Sequence, residues 1–186
     1  STIDSRVVSP TSLRVWNSTD GRLQSRVDTP APIAAMILSS DGQQMLAAGG
    51  DAKLRALSVP NSGVRQLLAA THFSVATASP DGKWLALGNT DGSVRTLSLG
   101  DGSELKSWKA HEGAVTAVAF SADSGELLTA SEDHQLKLWK TGDWSQTSSV
   151  ELADRLPSAA CSLPGARKFA VGDSQGRVAI WNADTM

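Results

Sequence analysis

Tyrosine is absent from the 186 residues, phenylalanine occurs three times and cysteine once. A single cysteine, Cys161, excludes an intramolecular disulfide and any cysteine-built zinc site. An excess of either charge is also missing. The 17 Lys and Arg against 19 Asp and Glu leave −2, far from the domain-wide basic surplus that nucleic acid selects. No apolar run approaches the ~20 residues that span a bilayer; a typical one is Ile33 to Leu38. No stretch holds a 3.6-residue period between helix caps, so no helix longer than a turn is expected. A signal-peptide pattern and an initiator Met are missing too, the first residue being Ser1. That start fits a removed Met, a cleaved leader or a piece of something longer. The abundant residues are 16 Gly, seven Pro and many Ser, the composition of a turn-rich chain.

What the sequence does have is a period. Trp16, Leu57, Leu97, Trp139 and Trp181 recur at steps of 41, 40, 42 and 42 residues. Asp51, Asp91, Asp133 and Gln175 each lie six residues earlier. Turn pairs such as Asp20-Gly21 and Asp101-Gly102 fall at the same steps. A fixed period of ~40–45 residues is the mark of a repeat architecture. Each unit reads as four strands. In the clearest one, Ala114 to Ser121 is β-branched and apolar, and Leu127 to Ser131 follows a turn. Gln135 to Lys140 then alternates polar with apolar, and Trp144 to Leu152 is a more polar outer strand. The opening segment supplies a weak second strand, a third and a fourth; the end stops after a third, Val178 to Asn182. The units run roughly 1–29 (partial), 30–70, 71–110, 111–152 and 153–186 (partial), one propeller region of repeating blades.

The segment AHEGAVTAVAFSADSGELLTASEDHQLKLWK resembles the WD40 family of β-propellers. That resemblance rests on His111, Ser131, Asp133 and Trp139, and it implies an all-β fold of four-stranded antiparallel blades. About four and a half repeats are then present, a partial ring or a fragment of a larger one, the usual ring having about seven blades. The four residues are expected to form a structural network within one blade. Asp133 accepts from the His111 ring, His111 bonds the Ser131 hydroxyl, and Ser131 takes the Trp139 indole N–H. In the other units Asn89 with Leu97, and Gly49 with Leu57, replace the Ser and Trp.

Several constellations imitate chemistry. Ser131, His111 and Asp133 have the residue types of a nucleophilic triad, but no Gly-x-Ser-x-Gly elbow accompanies them. His72, His111 and His134 lack metal-ligand spacing, so no metal site and no cofactor is expected. The Asp-Gly pairs at 41, 81, 91 and 101 lack the dense acidic spacing of a calcium loop and suit hairpin turns. Lys106, Lys109, Lys137, Lys140 and Arg155 read as a solvated face rather than a nucleic-acid patch. Trp84, Trp108 and Trp144, outside the repeating Trp position, are expected to pack between adjacent blades.

The resemblance implies a non-catalytic protein–protein interaction scaffold. A regulatory or sensor propeller attached to another domain is the alternative, and a propeller enzyme the remote one. The family's partner-binding end maps onto Ala34, Ser74 and Thr116 at the start of first strands. Before the tight-turn position it maps onto Gly50, Thr90, Glu132 and Ser174. Only Glu132 is charged there, which suits a protein or peptide partner and not phosphate. Self-association, or completion by another chain, is the further expectation for the open ends. The expected compartment is the cytoplasm, with the periplasm open if a leader is removed.

Overall fold

A computed structural model describes residues 11–17, 19–29, 33–38, 44–49, 53–58, 64–69, 73–165 and 167–186. The expected weak strand before Thr11, and also Gly50 and His72, lie outside them. Seventeen strands and no helix occur among the described residues. β1 (Thr11–Trp16) and β2 (Leu23–Thr29) form an antiparallel hairpin. β3 (Ile33–Leu38), β4 (Gln44–Gly49), β5 (Lys53–Ser58) and β6 (Val64–Ala69) form a four-stranded sheet in chain order. So do β7 (Phe73–Ala78), β8 (Trp84–Asn89), β9 (Ser93–Ser98) and β10 (Glu104–Lys109). The third such sheet is β11 (Val115–Phe120), β12 (Glu126–Ser131), β13 (Gln135–Lys140) and β14 (Ser145–Glu151). β15 (Pro157–Ser162), β16 (Lys168–Asp173) and β17 (Val178–Asn182) make a three-stranded sheet. All neighbours are antiparallel, as short turns between consecutive strands require.

Alternation of side chains across each strand divides the core into layers between blades. One face of the β11–β14 sheet, with Val118, Phe120, Leu127 and Trp139, packs on Ala86 and Val94 of the sheet before it. The opposite face, with Ala117, Ala119, Leu128, Leu136 and Leu138, packs on Phe169 and Val171 of the sheet after it. β12 is therefore buried along its whole length. Its sequence, ELLTAS, accordingly lacks apolar–polar alternation, since a strand covered on both faces has no solvent-facing phase. Trp84, Trp108 and Trp144 join the first layer with Phe120, as expected. The Trp144 ring lies 5.8 Å from Trp84, edge-on, and 6.0 Å from Trp108.

The hairpin turns explain a difference between two blades of the same plan. Gly82, Gly92 and Gly102 take left-handed φ values of 72°, 84° and 78°. One repeat later those places are held by Ser124, His134 and Trp144, at 61°, 62° and 57°. A left-handed conformation is costly for a side chain bearing Cβ, and each of the three has a contact that offsets it. Ser124 Oγ accepts from the Asp81 N–H of the preceding blade at 3.0 Å. His134 Nδ1 lies 3.0 Å from the Arg155 carbonyl, in the segment leading to the next blade. Trp144 fills the aromatic layer. Because Trp144 is a turn residue, the outer strand starts at Ser145, one residue later than its sequence suggests.

Candidate protein-interaction face

The innermost strands share a local irregularity. Register shifts fall between Ile33 and Ala35, Phe73 and Val75, Val115 and Ala117, and Pro157 and Ala159. Ala34, Ser74, Thr116 and Ser158 are thus the bulged residues of four successive blades, the kind of position that re-aims a side chain. Pairing of Phe73 with Asn89, Val115 with Ser131 and Pro157 with Asp173 puts each bulge at the same end as the following turn. Thr90, Glu132 and Ser174, in those turns, are exposed. The strand register brings Ser74, Thr116, Thr90, Glu132 and Ser174 to one end together with Ser158, the fourth equivalent, which the sequence reading omits and the 42-residue step from Thr116 identifies.

Two bulged residues are not free for a partner. The Ser74 hydroxyl lies 2.6 Å from the Val115 carbonyl of the next blade and 3.2 Å from Gly88 O, so it ties two inner strands together. Thr116 Oγ1 is screened from solvent without a hydrogen-bond partner, as is Trp108 Nε1. Ala34 has a place in β3, its side chain lying outside the described set, as Gly50 does entirely.

The network beneath this end differs from expectation at one member. His111 is buried, its Nδ1 3.0 Å from Asp133 Oδ2. Its Nε2 lies 2.8 Å from Thr129 Oγ1, and the Trp139 indole N–H donates to the same oxygen at 2.9 Å. Thr129 replaces Ser131 as the link. Trp139 pairs opposite Leu127, so its indole reaches diagonally to residue 129, whereas Ser131 is two residues, about 7 Å, further along the strand. Ser131 Oγ instead accepts the Asp133 backbone N–H at 3.1 Å. The chain of bonds is consistent when Nδ1–H donates to Asp133, Nε2 accepts from the Thr129 hydroxyl, and Thr129 accepts from Trp139. Burial pushes the His111 imidazole below its ordinary pKa, against the pull of Asp133. Burial would raise the Asp133 carboxyl, but His111 and the N–H groups of Glu112 and Gln135 hold it below the ordinary range.

This geometry does not assemble the triad that the residue types imitate, because the Ser131 hydroxyl is bonded away from His111. Among the described residues no three His, Cys, Asp or Glu side chains converge as metal ligands. Three of the lysines read as a solvated face also donate to backbone carbonyls. Lys106 Nζ donates to Asp143 O and Trp144 O, Lys109 to Asp91 O, and Lys137 to Ala110 O.

Comparison with known proteins agrees with this architecture. Residues 102–140 match the model of the WD domain, G-beta repeat. Elongator complex protein 2 of Saccharomyces cerevisiae is 31% identical over 97 residues, 48% of this chain and 12% of that protein. Target of rapamycin complex subunit wat1 of Schizosaccharomyces pombe is 22% identical over 174 residues, 91% of this chain and 55% of that protein. The chain thus spans about half or less of these relatives. The solved structures of U3-55K and of the RRP9 WD40 repeats superpose with TM-scores of 0.73 and 0.74, each at 19% identity. In both cases 84% of this chain covers 50% of the other. The period, the successive four-stranded blades and these matches show the fold of a WD40-type β-propeller, with residues 102–140 a WD repeat and the matched part covering half of each solved propeller chain.

Proposed function

We propose that the chain is a non-catalytic scaffold that holds a protein or peptide partner at the bulged end of its inner strands. The observation that carries this reading is the recurrence of exposed Thr90, Glu132 and Ser174 at one place in three successive blades, beside the bulges at Ser74, Thr116 and Ser158. Turns on a rigid sheet are where binding residues concentrate. The face is hydroxyl-rich with one carboxylate, which suits hydrogen bonding to a peptide and not capture of an anion. Relatives named as an Elongator complex protein and a target of rapamycin complex subunit support a role inside an assembly.

The test compares proteins co-purifying with the tagged chain and with two variants. Thr90→Arg combined with Glu132→Arg alters the proposed face; Gln146→Arg alters the exposed outer strand β14. The same bound proteins should fall about tenfold with the first and persist with the second, as loss of central contacts implies. Equal retention by both variants would place recognition elsewhere.

A further inference from the structure

A polar cleft of about 420 Å3 opens on the β7–β10 sheet, beside the turn that carries Thr90. Asn89, Thr90, Asp91, Ser93, Arg95 and Glu104 line it. Pairing of Leu87 with Arg95 and of Thr129 with Lys137 makes Arg95 the equivalent of Lys137, and so Asp91 the equivalent of Asp133. In the later blade this place is served from within the chain. Asp133 Oδ2 accepts from the Glu112 N–H and lies 3.0 Å from His111 Nδ1, and Lys137 Nζ donates to Ala110 O. Those partners sit on the connection from β10 to β11, residues 110–114, whereas β6 and β7 are joined by residues 70–72 alone. The earlier connection is thus two residues short of the one that lays His111 over Asp133.

The hydrogen bonds of the cleft run one way and leave acceptors over. The Ser93 hydroxyl donates to Asp91 Oδ1 at 2.6 Å, so Ser93 Oγ accepts from Asn89 Nδ2 at 2.8 Å. That order fixes the Asn89 amide and leaves its Oδ1 as the spare atom. Asn89 is only 8% exposed, and polar atoms so deep are ordinarily paired. Among the described residues Asn89 Oδ1 and Asp91 Oδ2 have no partner. Arg95 meets Glu104 through Oε2 alone, from Nε and Nη2, which leaves Oε1 over as well. Bonds from the Ser93 hydroxyl and N–H hold the Asp91 carboxyl below its ordinary pKa, so it is charged at neutral pH. Asp91 and Glu104 against Arg95 leave one negative charge unbalanced in the lining. Lys109, the cation beside them, donates to the Asp91 carbonyl and lies 4.0 Å from Glu112.

We propose that this cleft takes an arginine side chain of the partner peptide, its guanidinium donating to Asn89 Oδ1 and the Asp91 carboxylate. A guanidinium offers five N–H donors in a fixed plane, which suits acceptors spread over separate residues better than a compact ammonium does. Charge-assisted bonds to a carboxylate are also the strong ones. Because Thr90 belongs to the partner-binding end proposed above, the inference rests on that reading and names the partner side chain received there.

NMR titration of the chain with capped Ala-Arg-Ala, Ala-Lys-Ala and Ala-citrulline-Ala peptides reads the outcome at the Asn89 side-chain amide and the Gly92 N–H. The arginine peptide should bind saturably. Citrulline, which keeps the shape without the charge, should bind about tenfold more weakly or worse, as loss of a charge-assisted bond implies. Asp91→Asn should weaken the arginine peptide as much, while its amide oxygen still accepts from the Ser93 N–H. No saturable shift with the arginine peptide overturns the proposal, and so does equal binding of the lysine or citrulline peptide. Binding that appears only in His72→Ala also overturns it, because the chain's own ring is then the occupant. The two readings fail separately. If the cleft is wrong, the arginine peptide is inert while Thr90→Arg with Glu132→Arg still sheds the co-purifying proteins; if the partner-binding end is wrong, those proteins persist while the peptide still binds.

Discussion

Trp144 holds, one repeat later, the left-handed turn position that Gly102 holds in the preceding blade. The hydrogen bonds match: Gly102 N–H donates to Ser98 O at 2.9 Å and Trp144 N–H to Lys140 O at 2.7 Å. Asp101 and Asp143 cap the two turns alike, accepting from Ser103 and Ser145 N–H at 3.0 Å. Backbone strain at Trp144 is thus tolerated because the indole, 8% exposed, closes the aromatic layer between two blades. Trp144→Gly relieves about 1 kcal/mol of strain and loses about 3–5 kcal/mol of packing. The net expectation is destabilisation by about 2–4 kcal/mol, read from chemical denaturation. A neutral or stabilising result would show that the turn, and not the layer, sets the balance.

Gly82 and Gly92 share a left-handed backbone but not their surroundings. A Cβ on Gly82 would meet nothing within 4 Å, whereas one on Gly92 would overlap the His111 carbonyl and come within 2.7 Å of Gly113 O. Gly92 O also accepts from the N–H groups of Ala110 and His111, so the turn lies directly against the segment entering the next blade. Gly82→Ala should cost about 1 kcal/mol, the conformational penalty alone. Gly92→Ala adds a backbone clash and should cost more than about 3 kcal/mol. Thermal melts of the two variants compare the costs, and similar melting temperatures would refute the close approach.

The period, the strands from Phe73 onward and the interblade tryptophans were legible in the sequence because each depends on local pattern: turn residues, alternation and spacing. The Thr129 link was not. Thr129 and Ser131 lie on the same face of β12 and carry the same kind of hydroxyl. Which one reaches Trp139 depends on cross-strand register, and register shows only once the strands are paired. The glycine at each left-handed turn was visible, but its exchange for Ser124, His134 and Trp144 was not, because the compensating contacts come from neighbouring blades.

Thr129 and Ser131 therefore separate by mutation. Thr129→Val removes the acceptor of the Trp139 indole and the partner of His111 Nε2, leaving two buried polar groups unpaired. Each such loss costs about 1–3 kcal/mol, so destabilisation by about 2–6 kcal/mol is expected. Ser131→Ala removes one bond to the Asp133 N–H and should cost about 1 kcal/mol. Urea unfolding of both variants measures the difference. Equal effects, or a larger one at Ser131, would return the link to Ser131.

The buried His111 makes stability depend on pH in a direction that can be worked out. Its folded pKa is depressed below 6.5 by burial, so the unfolded chain takes up a proton at a pH where the folded chain does not. Stability is then full above about pH 7 and is lost as pH falls below 6.5, until the folded pKa is reached. The limiting slope is about 1.4 kcal/mol per pH unit. Asp133 contributes in a lower window, since its folded pKa is held below 3.8 and its stabilisation fades only as the carboxylate is protonated. Urea midpoints at pH 7.5 and 5.5 should differ for the wild type. They should converge for His111→Gln, which lacks a titrating group at that site whatever its absolute stability. A wild type equally stable at both pH values would mean that folding does not shift the His111 pKa, and one more stable at pH 5.5 would mean that the ring is held protonated in the folded chain, with Thr129 accepting from it.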